Sequence, residues 1–563
     1  MLTTNVDEQK IIVTGNTAEL LRLKAQLTAL IPSEEIIINR AKGLMFPRKY
    51  LSVTSSLLAD NSTPINTQSK TVLEDRKALI KKHLGARTNI LKIIENAQSL
   101  VNDSHWDNIL MPYQGVAVNC IIEPDLLGIC IFDEQGTGKT LTAVAAYDIL
   151  FKRGFCEKLI VVSPLSLLGV WEKEFKDFIP GQYSTVKVEG NQKNKFDALN
   201  KAADVYLINY ESVSNFQTFI SSLAKSAKTL LVVDESFLVK NPDAKRSQSL
   251  EEVRKECSLG VVLCGTPAPN NPTDIIHQFN IADGGMTFSN YQHSGKDQRA
   301  NIEQALANKG VFLRRLKSDV LSELPDKNYK IEQVTLTGRQ LQLYQNARNE
   351  LYIALKNIDN SDFKRHLTWY FQRRSALLQI CVNPSLIDPL FTETPAKHAV
   401  LDGLIKKIVN QGKKVIVWST FTADLLCIEK RYTKYGVVRV DGSVSGHDRS
   451  KCVERFQNEP DIRIFVANPA AAGAGLTLHA ADTCIYLSYS NQAAHYMQSL
   501  DRIHRKGQLS DSVEYIFLVC DDTIEINELK RLQNKESAQR DLLGDADDTQ
   551  FTLQQAIEEV EQL

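Results

Sequence analysis

The run CIFDEQGTGKT, residues 130–140, holds the residue types that grip a polyphosphate. An apolar stretch enters a loop containing Gly136, Thr137 and Gly138, and Lys139 and Thr140 then open a helical pattern, TLTAVAAYDILFKRG. Glycines let backbone N–H groups curl around phosphate oxygens, and the helix N-terminus adds partial positive charge. Lys139 suits the outer phosphates and the Thr140 hydroxyl suits Mg²⁺. The general phosphate-loop pattern has a further glycine where Asp133 stands, and a turn that binds no phosphate is the alternative. Roughly one hundred residues on, LLVVDESFLVKN delivers Asp234 and Glu235 to the end of an apolar run. Asp234 could hold Mg²⁺ through water and Glu235 could orient and deprotonate an attacking water; read alone, either could simply cap a helix. In QSLDRIHRKGQ, Arg502 and Arg505 stand three positions apart, a spacing that can share one helix face. By themselves they fit a solvated face with weak ion pairs. With a phosphate loop and an acid pair upstream, they become a cation source for a γ-phosphoryl group, whose charge builds during transfer.

The elements around these residues have a regular rhythm. Between about residues 105 and 325 the short β-rich runs LLGICIF, KLIVVSP, ADVYLINY, TLLVVDE and GVVLCGT alternate with helical patterns. A second series follows, KKVIVWS, GVVRVDG, IRIFVAN, DTCIYLS and SVEYIFLV. Such alternation predicts doubly wound parallel sheets, whose ligands collect at the carboxyl ends of the strands. The predicted fold is α/β, with two tandem doubly wound parallel-sheet lobes, helical insertions and a small N-terminal α+β module. The expected divisions are an N-terminal module at 1–70, a helical linker at 71–104, an ATP-binding lobe at 105–325, a helical insertion at 326–390, a second lobe at 391–525 and an acidic C-terminal helix at 526–563.

A length of 563 residues exceeds what one core usually organises. The net charge of −1 argues against a globally basic nucleic-acid coat, so any path for DNA must be a local stripe. Ten scattered cysteines lack C-x-x-C pairs, which predicts reduced thiols and neither a zinc site nor a disulfide framework. No signal-peptide pattern or membrane-length apolar run is present, so a cytoplasmic chain with no membrane role is expected.

The ordered set Tyr113-Gln114, DEQGTGKT, VVSPLSLLGVWEKEF, LINYES, VVDESFLVKN, LCGTPAPNNP, FLRRLKSDVLSELP, VIVWSTFTADLLCIE, VRVDGSVSGHDRSKCVERFQ, AAAGAGLTLHAADTCIYLS and QSLDRIHRKGQ closely resembles the superfamily 2 helicase-like ATPases of the Swi/Snf type. The likeness covers roughly residues 105 to 520. It implies a translocase on double-stranded DNA, built of two RecA-like lobes, that uses ATP and Mg²⁺. Gln114 would read the adenine; Gly136, Thr137, Gly138, Lys139, Thr140 and Gly475 would hold the nucleotide. Thr140 and Asp234 would serve the metal, and Glu235, Arg502 and Arg505 would be catalytic.

By position in the same motifs, Ser166, Asn209, Lys240 and Asn241 on the first lobe and Ser419, Thr422, Gly442, Ser443 and Arg449 on the second would contact the DNA backbone. Hydroxyls, amides, cations and bare backbone grip phosphates without reading sequence, although each residue also fits an ordinary loop hydrogen bond. Arg314, Arg315 and Lys317 form a basic cluster, either a backbone contact or a surface ion-pair patch, and Trp171 reads as core packing. In RAKGLMFPRKYL, Arg40, Lys42, Phe46, Arg48, Lys49 and Tyr50 either grip a DNA junction or make a hairpin with a basic edge. Phe237 stands where the family commonly has a histidine that couples the nucleotide to the DNA-gripping loops. The spellings DES and GLTL lean toward the fork-remodelling, annealing-type branch and its bacteriophage relatives. The expected activity is therefore remodelling of branched DNA by a monomer. Displacement of proteins from DNA and a non-catalytic DNA-binding scaffold are the alternatives.

Overall fold

A computed structural model of the chain describes residues 2–6, 10–28, 31, 33–39, 43–47, 54, 57–58, 67–267, 273–288, 298–321, 324–471, 476–489, 493–505, 507–530 and 560. The chain divides into two compact units, with the division between Arg315 and Leu316, ten residues before the boundary expected from sequence.

The N-terminal strands β1 (Thr3–Val6), β2 (Lys10–Thr14), β3 (Ile37–Asn39) and β4 (Gly43–Pro47) form an antiparallel sheet in the order β1-β2-β4-β3. The helix Thr17–Leu27, capped by the Asn16 side chain, buries Leu20, Leu23 and Leu27 into the same core as Ile11, Val13, Leu44 and Phe46. Phe46 is thus core material of a β-hairpin and not a grip for a junction. Arg40, Lys42, Arg48, Lys49 and Tyr50 lie outside the described residues. The following helix, Thr67–Glu95, is fastened to the first large sheet through Arg87, whose Nε donates to the Gly310 carbonyl at 3.0 Å.

The first large sheet contains β5 (Gly128–Ile131), β6 (Lys158–Ser163), β7 (Thr185–Val188), β8 (Val205–Asn209), β9 (Thr229–Asp234), β10 (Leu259–Leu263) and β11 (Phe312–Leu313). Their order is β11-β5-β10-β9-β6-β8-β7, and every pairing is parallel. Helices cover both faces, which is why β5, β8 and β9 are buried at every position and read as unbroken apolar runs. The strands β7 and β11 escaped the sequence reading because the first is a half-exposed edge strand and the second has only 2 residues.

The second sheet contains β12 (Asp326–Val334), β13 (Val415–Trp418), β14 (Val437–Val440), β15 (Ile464–Ala467), β16 (Thr483–Tyr486) and β17 (Ser512–Cys520), in the order β12-β17-β16-β13-β15-β14 and again all parallel. The stretch 326–390, expected to be helical, therefore opens with a strand of 9 residues that pairs along its whole length with β17. As a solvent-facing edge, β12 keeps polar residues on both faces, so its sequence lacks the apolar run that marks its partners. The helices Gly338–Lys356 and Leu367–Val382 follow and pack on one face of the sheet. Of the expected acidic C-terminal helix, residues 531–559 and 561–563 lie outside the described residues. Among the described residues no helix is long and apolar enough to cross a membrane.

Candidate active site

The carboxyl end of β5 leads into the phosphate-loop candidate, and the helix Lys139–Lys152 leaves it. Gly136 and Gly138 have φ of +84° and +76°, a region costly for residues with a side chain. Gly138 has a second constraint, since a Cβ there would lie 2.3 Å from Gln114 Nε2. The loop is closed on itself. Lys139 Nζ donates to the carbonyls of Asp133 (2.7 Å) and Glu134 (3.1 Å). Gln114 Nε2 donates to the Thr137 carbonyl at 3.2 Å and its Oε1 accepts from Met111 N at 3.0 Å, while Tyr113 Oη donates to the same Thr137 carbonyl at 2.9 Å. The departure at Asp133 also has a structural reason, because its buried carboxylate forms a two-pronged ion pair with Arg315.

Asp234 ends β9 opposite Leu263 of β10, and Glu235 follows with φ of +51°. Asp234 is buried and accepts from Trp171 Nε1 (3.0 Å), Ser163 Oγ (3.3 Å) and Glu235 N (2.9 Å). Burial raises its carboxyl above the usual range against the opposing pull of these donors and of the Lys139 charge. A buried carboxylate that accepts from neutral donors and feels the Lys139 charge suits a divalent cation, which would offset the cost of burial. Glu235 Oε1 accepts from Gln135 Nε2 at 2.8 Å, which joins the acid pair to the phosphate loop. Trp171 and Ser163 were not legible as site residues, since an apolar helix position and a strand end carry no mark of what they face. Gln278 was missed for the same reason. It accepts from Ser236 Oγ at 2.5 Å and donates to the Pro267 carbonyl, linking the acid-pair turn to the loop after β10 beside the position of Phe237.

In the second unit the arginines do not sit on a helix. The helix Ala493–Leu500 stops before them, and residues 501–505 are turns. The Arg502 carbonyl accepts from Leu478 N at 3.2 Å, and Lys317 Nζ donates to Asp501 Oδ1 (2.6 Å) and to the His504 carbonyl (3.1 Å). Two of those bonds take backbone carbonyls, of Arg502 and His504, that a helical ladder would need. The turn still brings the two guanidinium groups to one place. Arg502 Nη1 donates to the Leu476 carbonyl at 3.0 Å and Arg505 Nη1 to Thr477 Oγ1 at 2.9 Å. Arg502 is buried and Arg505 half-buried. Gly475 lies outside the described residues.

The DNA-facing candidates follow the carboxyl ends of parallel strands in each unit. Ser166, partly exposed, lies in the short turn Leu165–Leu167 after β6. Asn209 is buried at the end of β8 and caps the helix Tyr210–Asn215, accepting from Ser212 N at 3.2 Å. After β9, Lys240 pairs with Asp274 at 2.7 Å, and the exposed Asn241 accepts from Asp243 N at 2.9 Å. In the second unit Ser419 is fully buried and donates to Asp424 at 2.9 Å, whereas Thr422 is exposed at the start of the helix Thr422–Arg431. Gly442 and Ser443 are exposed after β14, with Ser443 Oγ donating to Asp441 at 2.6 Å. Arg449 joins two loops by donating to the carbonyls of Val444 (2.9 Å) and Ala471 (3.3 Å). The side chains of the basic cluster are engaged within the protein. Arg314 donates to the Phe132 and Gly265 carbonyls, Arg315 holds Asp133, and Lys317 holds Asp501.

A parallel sheet that presents a glycine loop, a lysine and an acid pair at its carboxyl edge is the frame of a phosphate-loop nucleotide hydrolase. Residues 112–386 match the SNF2-related domain and residues 396–507 match the helicase conserved C-terminal domain. Together these matches take in most of the chain, and the protein belongs to the superfamily 2 helicase-like ATPases of the Swi/Snf type. It is 28% identical over 437 residues to the CHD3-type chromatin-remodeling factor CHR7 of Arabidopsis thaliana, covering 72% of this chain and 35% of that protein. Over 508 residues it is 29% identical to the DNA repair and recombination protein RAD54-like of Drosophila ananassae, covering 78% of this chain and 63% of the relative. The chain thus spans less than two thirds of the length of these relatives. Among solved structures it is similar to the Sulfolobus solfataricus SWI2/SNF2 ATPase core in complex with dsDNA, at 20% identity and a TM-score of 0.37, covering 77% of this chain and 96% of that one.

Proposed function

We propose that the chain hydrolyses ATP to track along double-stranded DNA and to rearrange branched DNA by branch migration, fork regression or limited unwinding. The observation that carries the proposal is the join between the phosphate loop and the acid pair, Gln135 Nε2 to Glu235 Oε1 at 2.8 Å, within a Swi/Snf-type sequence. In this reading Lys139 exchanges its two loop carbonyls for phosphate oxygens, and Gly136, Thr137 and Gly138 supply backbone N–H groups. Gln114 reads the adenine, and Gly475 helps to hold the nucleotide. Thr140 and Asp234 would hold Mg²⁺, which when bound would offset charge on the phosphates. Glu235 positions and deprotonates water, and Arg502 and Arg505 supply cations to the γ-phosphoryl group.

Ser166, Asn209, Lys240, Asn241, Ser419, Thr422, Gly442, Ser443 and Arg449 are proposed to line the DNA path. For Ser419 this requires the buried Asp424 bond to open. Support for branched DNA comes from the repair-and-recombination relative that aligns over 508 residues. The test is ATP turnover and strand rearrangement on a four-way junction, a fork and plain duplex. Branched substrates should stimulate turnover above linear duplex and be rearranged. Equal stimulation by linear duplex, without rearrangement, would instead favour displacement of bound proteins. No phosphate release with any substrate would leave a non-catalytic DNA-binding scaffold.

A further inference from the structure

The chain passes from one unit to the other through Arg314, Arg315, Leu316 and Lys317, and the basic side chains on either side of Leu316 are bound to different parts of the proposed machinery. Residues 311–315 run beside β5 and the start of the phosphate loop. Phe132 N donates to the Leu313 carbonyl at 2.8 Å and Glu134 N to the Arg315 carbonyl at 2.9 Å. The Arg315 guanidinium forks onto Asp133, donates to the Tyr113 carbonyl and lies 5.3 Å from the centre of the Tyr113 ring. Tyr113 in turn bonds the loop at Thr137, so one arginine braces both ends of the loop and the segment that carries Gln114.

Beyond Leu316 the contacts belong to the second unit. Lys317 is 2% exposed, and its ammonium bonds Asp501 at 2.6 Å and the His504 carbonyl at 3.1 Å, the residues that bracket Arg502 and precede Arg505. A buried charge-assisted pair holds its geometry far better than an exposed one. Even fully extended, the chain between the Arg315 and Lys317 Cα atoms spans roughly 7 Å, too short to absorb much independent movement of its anchors.

We infer that Arg315 and Lys317 are the two ends of a tie, Arg315 positioning the nucleotide loop and Lys317 positioning the Arg502–Arg505 turn, through which displacement of one is passed to the other. The inference rests on the functional reading above, since both anchored parts are assigned there to ATP hydrolysis. Neither residue touches the nucleotide in this scheme.

The experiment measures DNA-stimulated kcat, nucleotide affinity and thermal stability of the full chain with Arg315→Gln, Lys317→Gln, Asp501→Asn and the Lys317→Gln/Asp501→Asn pair. Arg315→Gln should weaken ATP binding. Lys317→Gln should leave ATP binding unchanged and lower kcat by about 10- to 100-fold, the scale of a misplacement near 1 Å. The paired variant should lose no more than either single one, because both remove the same contact. Asp501→Asn takes the negative charge from the contact with little change of shape, so it reports even if Lys317→Gln fails to fold. Normal kcat in Asp501→Asn, or parallel loss of binding, turnover and stability in all variants, would overturn the tie while an active wild type leaves the functional reading standing. A wild type without turnover on any DNA would overturn both.

Discussion

Lys139 and Trp171 show how differently two side chains in one site are exposed to substitution. Lys139 contributes only its ammonium, now placed on two loop carbonyls, so Lys139→Ala should abolish phosphate release while leaving the fold intact. Arg505→Ala should bind nucleotide normally and lose on the order of 10³-fold in turnover, the usual worth of such an arginine. Normal turnover by that variant would remove Arg505 from the reaction. Trp171 combines a fully buried ring with the bond to Asp234. Trp171→Phe keeps most of the apolar contact and deprives the carboxylate of a donor, which should cost about 1–3 kcal/mol in urea unfolding. The same variant should need more Mg²⁺ for half-maximal turnover, because the carboxylate would hold its proton more tightly.

The turn that carries Arg502 and Arg505 is held by polar contacts where residue spacing predicts a helix, and this makes it sensitive to acid. His504 packs against the Pro325 carbonyl, and burial followed by the charges of Lys327 and Lys317 pushes its pKa down to about 4. The unfolded chain takes up a proton near pH 6.5 that the folded turn refuses. Stability is therefore full above that value and falls as pH drops from about 6.5 towards about 4. Thermal melts of wild type and His504→Gln across this range should diverge, the variant losing less on acidification. Parallel pH profiles would show that the ring is not the titrating group. The helix Lys139–Lys152 is held differently, its residues 142–150 buried on every side and its Asp148 carboxylate accepting from Trp106 Nε1 at 2.6 Å and Tyr183 Oη at 2.6 Å.

At the scale of the molecule, a net charge of −1 leaves no general attraction for DNA, so the binding proposed above would have to come from local groups on phosphates. Affinity for duplex should fall linearly on a log–log plot against salt, with a slope of about −0.9 for each phosphate neutralised. A flat titration would reject tracking along the backbone. Each sheet places its candidate DNA contacts at the carboxyl ends of parallel strands, where doubly wound folds gather their ligands.

The phosphate loop, the acid pair and most strands were legible in the sequence because buried parallel strands must be apolar throughout and their chemistry must follow at the ends. Edge strands such as β12 escape that rule, having solvent on their faces and hence no obligatory pattern. Trp171, Ser163 and Gln278 were invisible for another reason: their roles come from what lies across a fold, 63, 71 and 42 positions away. The arginine pair was recognisable by residue type, but spacing predicted a helix where Lys317, 184 residues upstream of Asp501, holds a turn. Local sequence determines what a strand end or a glycine loop must look like, since those constraints act between neighbours. Which buried charge finds which partner is decided only when distant segments pack, because desolvation leaves each such group with no alternative to a bond inside the protein.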